Sequence, residues 1–339
     1  MSRCIAPLLP VAAVLSGAVT AYPAAAAPSF EVYRLDANRQ LPQSSVTSIA
    51  QTNDGRLLLT TFGGLARFDG VELEVWDAAR EPSMASIRLT AVAADPRGGA
   101  WLGSQGGHLW RFVDEGVHPV DVPAGLGVVW SIALHDGPWV ATESGLWHRT
   151  VDGRWSQVLD GPTQRVVATP DGVYAVHAER LEWVGDDGAR RSVEVPELRA
   201  LAVLGDAVWV GGGRGVQELS SSGVPTLLRP VDARPVDALV VRDGAVWGAW
   251  SDELFEVGAL RRPVVKLPGP ARALYADVEG SLWVGTLGSG FVQVQELPYR
   301  VIDLPLAGAV LADPRGGVWL TRGCDAVERH LDDAVVEQV

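Results

Sequence analysis

The chain has 339 residues, 47% hydrophobic and 20% charged, enough to bury a large core as one big repeat domain or two ordinary ones. It carries 28 Lys and Arg against 41 Asp and Glu, a formal charge of −13, which argues against nucleic acid and anionic lipid headgroups as partners. Two cysteines, Cys4 and Cys324, leave one thiol once the leader is removed, which excludes an internal disulfide and a Cys-based metal site.

Residues 1–27 read as a secretory signal. Arg3 is the sole charge before Glu31, Ile5 to Tyr22 is mostly apolar, and the small run Ala24 to Ala27 offers a cleavage site. Pro10 interrupts the apolar run, which disfavours a stable spanning helix, and Cys4 lies too early for lipoprotein processing. No later stretch reaches the ~18 apolar residues of a membrane span. Loss of Arg3 takes the formal charge to −14, 27 basic against 41 acidic residues. The mature chain is expected in the periplasm or outside the cell.

Phe30 to Leu35 alternates like a strand, and a repeat follows it. Each copy has a short apolar run, a Gly- or Asp-containing turn, then Trp, an apolar residue and a small one. The clear copies include Gly99-Ala100-Trp101-Leu102-Gly103, Asp136-Gly137-Pro138-Trp139-Val140-Ala141 and Asp206-Ala207-Val208-Trp209-Val210-Gly211. They continue with Asp243-Gly244-Ala245-Val246-Trp247, Gly280-Ser281-Leu282-Trp283-Val284-Gly285 and Gly316-Gly317-Val318-Trp319-Leu320-Thr321. Leu58 and Tyr174 hold the Trp position in two weaker copies. The eight anchors are spaced 43, 38, 35, 35, 38, 36 and 36 residues apart, a repeat architecture.

Within a copy the grammar is β: short apolar runs or alternation, with Gly and Pro punctuating every segment. Four short strands per copy, arranged radially, predict an all-β β-propeller of four-stranded blades. The anchor tryptophans are expected to be core, each filling the wedge between two blades. Seven blades are favoured over eight. Phe30 to Leu35 would supply the outer strand of the seventh blade, and Tyr299 to Leu304 would open the eighth copy. The domain reading is 1–27 signal, 28–298 propeller, and 299–339 an eighth repeat, which begins a second propeller or forms an eighth blade.

The run Leu41-Pro42-Gln43-Ser44-Ser45-Val46-Thr47-Ser48-Ile49, then Asp54-Gly55-Arg56-Leu57-Leu58-Leu59-Thr60-Thr61 and Gly63-Gly64-Leu65-Ala66-Arg67-Phe68-Asp69-Gly70, resembles the first blade of the two-component regulator propeller family. The seventh copy, Glu279 to Thr286, fits as well, and the likeness runs from about Phe30 onward. The departures are Leu58 for Trp, Tyr174-Ala175-Val176 without its glycine, and Trp247-Gly248-Ala249-Trp250. The resemblance implies an extracytoplasmic sensor, followed in the full receptor by a membrane span and a histidine kinase or diguanylate cyclase. None of those parts is in this chain, so it reads as a receptor fragment or a stand-alone binding protein.

Propellers bind ligands at the channel mouth. Alignment of the inner strands gives a ring of small residues: Ser48, Ala91, Ser131, Val166, Ala200, Ala238, Ala273 and Ala309. One position earlier come Thr47, Thr90, Trp130, Arg165, Arg199, Asp237 and Arg272, the candidate ligand-binding residues, followed by Gly308. Guanidinium groups there suit a small anionic or saccharide-like ligand, or else pair with Asp237 as structural glue. His135-Asp136 reads as a solvent-exposed turn. No zinc-binding H-E-x-x-H, no nucleophile elbow and no calcium loop occurs, so no catalysis, metal or cofactor is expected. Membrane contact would come only through a downstream segment, and a homodimer only in the full receptor. The alternatives are a streptogramin-lyase-like enzyme, a family that relies on channel histidines, a glutamate and a metal ion, and a protein-interaction scaffold.

Overall fold

The structure is a computed structural model that describes residues 29–34, 40–84, 88–220, 228–259, 264–297, 307–315, 317–322, 326–331 and 334–338. The signal reading, Cys324 and the Tyr299 to Leu304 strand lie outside the described residues. The chain divides into two units, Phe30–Gln295 and the remainder, which includes Glu296–Val339.

The larger unit holds seven four-stranded antiparallel sheets. Their innermost strands are Val46–Gln51, Leu89–Ala94, Val129–Leu134, Thr163–Thr169, Leu198–Leu204, Ala238–Arg242 and Ala271–Ala276. Each lies against the next, and the last lies against the first, so the described sheets form a closed ring of blades. Six blades are continuous in sequence. The seventh is composite: Ala271–Ala276, Leu282–Thr286 and Phe291–Leu297 are completed by Ser29–Arg34 from the other end of the chain. This pairing is consistent with the favoured seven-bladed reading and covers what would be an exposed sheet edge. The eighth copy forms a four-stranded sheet of its own from Ala307–Ala312, Val318–Arg322, Ala326–Leu331 and Ala334–Gln338.

The repeat motif has a packing reason. Trp101, Trp139, Trp247 and Trp283 are buried on the second strand of their blades. A buried indole N–H needs an acceptor. Trp283 Nε1 donates to Asp277 Oδ2 at 2.7 Å, Trp101 Nε1 to Asp95 Oδ2 at 3.2 Å, and Trp139 Nε1 to the His135 carbonyl at 2.8 Å. The turn residue before the second strand therefore anchors the ring. The small residue two positions after Trp sits under the next blade: Gly103 beneath Val129, Gly211 beneath Val236, and Gly285 beneath Val46. A side chain at these glycines would push neighbouring blades apart.

Two expectations need correction. Trp209 and Trp319 are only half-buried, and Trp209 Nε1 is enclosed without an acceptor, so not every anchor ring is core. His135 is not a free turn residue, because its Nε2 lies 2.5 Å from Asp186 Oδ1 of the next blade with 15% of its side chain exposed.

Candidate ligand site at the channel mouth

The inner strands share a local device. In the first blade the register with the second strand passes from Val46↔Thr61 to Ser48↔Thr60, leaving Thr47 as an extra residue. The same bulge occurs at Thr90, Trp130, Arg199 and Arg272. A bulge twists the strand and re-aims the extra side chain. Asp237, just before the sixth inner strand, donates its N–H to the Ala249 carbonyl at 2.8 Å. All seven candidate residues line one cavity of about 610 Å³.

The fourth blade departs from the sequence alignment. Its bulge falls between Thr163↔His177 and Arg165↔Val176, so the extra residue is Gln164. Arg165 therefore occupies the position held by Ser48, Ala91, Ser131, Ala200, Ala238 and Ala273 in the other blades. Val166 is not in the small ring, and aligns instead with the buried apolar Val92 and Ile132. The turns before the second strands differ in length from blade to blade, two residues before Gly172 and before Ala207 but three before Pro138, so the inner-strand register cannot be counted back from the anchor at one fixed distance. Gln164 also lines the cavity, as do Phe62 and Gln105, each the first residue after a second strand. The sequence alignment missed Gln164 because it placed the fourth blade one residue out of register, and missed Phe62 and Gln105 because it followed the inner strands alone.

The ring residues do different work. Thr47 Oγ1 donates to the Leu89 carbonyl of the second blade at 3.0 Å, and Thr90 Oγ1 donates to the Val129 carbonyl of the third. Ser131 Oγ accepts from the Val166 N–H of the fourth at 3.3 Å. These hydroxyls stitch adjacent blades and have little capacity left for a ligand. Arg199 Nη1 donates to Asp237 Oδ1 at 3.0 Å, joining the fifth and sixth blades, with side chains 50% and 42% exposed. Such a pair contributes little to stability, about 0–1 kcal/mol.

Arg165 and Arg272 differ: among the described residues neither makes a hydrogen bond or ion pair. Burial, and then the charge of Arg272, push the Arg165 guanidinium below its usual range, with Asp237 opposing. Trp130 adds a half-buried ring to the wall. No His and no Glu lines this cavity. Among the described residues no group of three or more His, Cys, Asp or Glu is placed to hold a metal ion.

A second cavity of about 550 Å³ lies on the turns between the fourth and fifth blades. It is lined by Tyr174 and Trp183, with Asp171, Asp186, Asp187, Asp206 and Arg191 around them. Tyr174 is the smaller ring that replaces Trp in this blade.

No family model matches the chain, and no curated protein matches it. Solved structures do. The extracellular domain assigned to the hybrid two component system BT3049 of B. thetaiotaomicron superposes with a TM-score of 0.73 at 18% identity, over 92% of this chain and 49% of that one. The chain is a β-propeller. The extracellular domain of BT4673 from the same organism gives a TM-score of 0.65 at 14% identity, over 92% of this chain and 47% of that one. This propeller chain thus spans about half the length of those two structures. Streptogramin B lyase is also similar, with a TM-score of 0.61 at 12% identity, over 79% of this chain and 98% of that one.

Proposed function

We propose that the propeller is the exported sensing part of a larger signalling receptor, that it holds a small anionic or saccharide-like ligand at the channel mouth, and that it performs no catalysis itself. The observation that carries this is the cavity of about 610 Å³ containing two arginines without partners. Arg165 is half-buried there and Arg272 reaches solvent, so both guanidiniums keep donors free for an anion that enters the channel. In a chain of formal charge −13, a cationic channel is a local exception. The likeness to extracellular domains of two-component systems supports the signalling role, with the kinase or cyclase output outside this chain.

Nucleic acid has no place in this reading. Lys266 is engaged by Glu253 at 2.7 Å and Asp252 at 3.7 Å. An enzyme on the same architecture is the competing reading, supported by the lyase neighbour but not by the cavity lining. The test is a thermal-shift screen of the purified chain with acidic and neutral oligosaccharides and small carboxylates. A hit whose shift disappears in Arg272→Ala supports the site. Turnover of any screened compound would favour the enzyme.

A further inference from the structure

We infer that the channel selects dianions over monoanions, and that Arg165 is the residue that sets this preference. The inference rests on the ligand-site reading above. Four charged side chains line the cavity. Arg199 and Asp237 neutralise one another at 3.0 Å. That leaves two positive charges from blades four and seven, which stand as far apart around the ring as two blades can. Both side chains line the one cavity although their strands stand on opposite sides of the ring, and the charge of Arg272 reaches Arg165 across it.

A ligand with one negative charge can satisfy one guanidinium and leaves the other uncompensated. A ligand with two can close both. Each guanidinium presents a planar fork of donors that fits carboxylate, phosphate or sulfate oxygens. The two sources of such chemistry, a compact oxyanion and an extended dicarboxylate, differ in span.

Arg165 has no structural task to explain it. Six other blades place Ser or Ala at its register position, and those side chains suffice to close the ring. Its guanidinium touches no acceptor among the described residues. A half-buried guanidinium without a partner keeps its donors uncommitted, and their natural complement is an anion that enters the channel.

The experiment is calorimetric titration of the purified chain with succinate, sulfate, acetate and chloride at matched ionic strength. We expect succinate or sulfate to bind about tenfold or more tighter than acetate, the gain of one further charge-assisted pairing. Which of the two is preferred distinguishes an extended from a compact ligand. Arg165→Ser, which installs the residue of blades one and three, is expected to lower dianion affinity to the acetate level and so to abolish the preference. It should also raise the melting temperature in anion-free buffer, which a structural arginine would not do. Equal binding of succinate, sulfate and acetate by the wild type would overturn the inference, as would an undiminished dianion preference in Arg165→Ser. Binding of a neutral saccharide with no response to any anion would overturn the dianion preference alone and leave the sensing role intact. Absence of binding to every probe, acidic and neutral saccharides included, would remove the ligand-site reading as well.

Discussion

Gly285 of the seventh blade lies directly beneath Val46 of the first: a Cβ added to Gly285 would stand 2.8 Å from Val46 Cγ1 and 3.2 Å from the Val46 carbonyl oxygen. This contact joins the seventh blade to the first and so seals the ring. Gly in a strand interior is ordinarily unfavourable relative to Ala, yet here the missing side chain is what allows closure. Gly285→Ala is therefore expected to destabilise the propeller by about 1–3 kcal/mol, the usual cost of overpacking. In a Val46→Ala background the added penalty should shrink. The coupling energy from denaturant melts of the two single variants and the double variant measures this. Simple additivity would mean that the seam does not depend on this pair.

Trp283 is 6% exposed and packs edge-on against Phe68 at 5.8 Å, across the same seam. Trp283→Ala should cost about 3–5 kcal/mol, the range for emptying a large core aromatic site. Trp209 occupies the equivalent position in the fifth blade but is half-buried, with its N–H unpaired. Trp209→Ala should therefore cost clearly less. Equal losses in thermal melts would show that the two rings are equally enclosed.

The blade pattern was legible because most copies share the same three constraints, seen together in the second, third and seventh blades. The turn residue takes the indole N–H, the Trp fills a wedge, and the small residue admits the next blade. The ring of channel residues was legible for the same reason, with five of its members bulged alike. Arg165 was assigned the wrong register because the fourth blade breaks the pattern on which the alignment depended. Tyr174 replaces Trp, and Val166 and Val167 are both apolar, so residue type alone does not show which of them follows the small-ring position. The roles within the ring could not be read at all. Whether Thr47 faces a ligand or the Leu89 carbonyl depends on the distance between blades, which residue order does not encode.

Acid should weaken the fold through Asp232. This carboxylate is 1% exposed and receives Arg234 Nη2 at 2.5 Å, Arg234 Nε at 3.0 Å and the Gly258 N–H at 3.0 Å. Burial pulls its pKa upward, but the Arg234 and Gly258 hydrogen bonds outweigh that and hold it below the ordinary 3.8. A folded-state pKa below the unfolded value gives stability that is complete above about 4 and is lost as pH falls through the lower folded value. Denaturation midpoints should therefore drop on acidification below pH ~4. In Asp232→Asn this part of the drop should disappear, at the cost of lower stability at neutral pH. An unchanged acid profile in that variant would show that the carboxylate does not titrate in this window.

The N-terminal strand should act as the clasp of the ring. Ser29–Arg34 pairs with Phe291–Leu297 and supplies the outer strand of the seventh blade. Phe30 stands edge-on to Trp247 of the sixth blade at 5.2 Å and 80°, and Val32 joins the same apolar cluster. The strand thus contributes both a ladder of hydrogen bonds and a hydrophobic contact to the adjoining blade. Phe30→Ala, which removes only the contact, should cost about 1–3 kcal/mol. Deletion through Arg34 removes the ladder too and leaves Phe291–Leu297 as an open edge, a template for pairing with another chain. The truncated protein should melt earlier than Phe30→Ala and associate in a concentration-dependent way, visible by light scattering. A monodisperse truncation with the wild-type melting temperature would show that the seventh blade is stable with three strands and that closure does not depend on the chain's first strand.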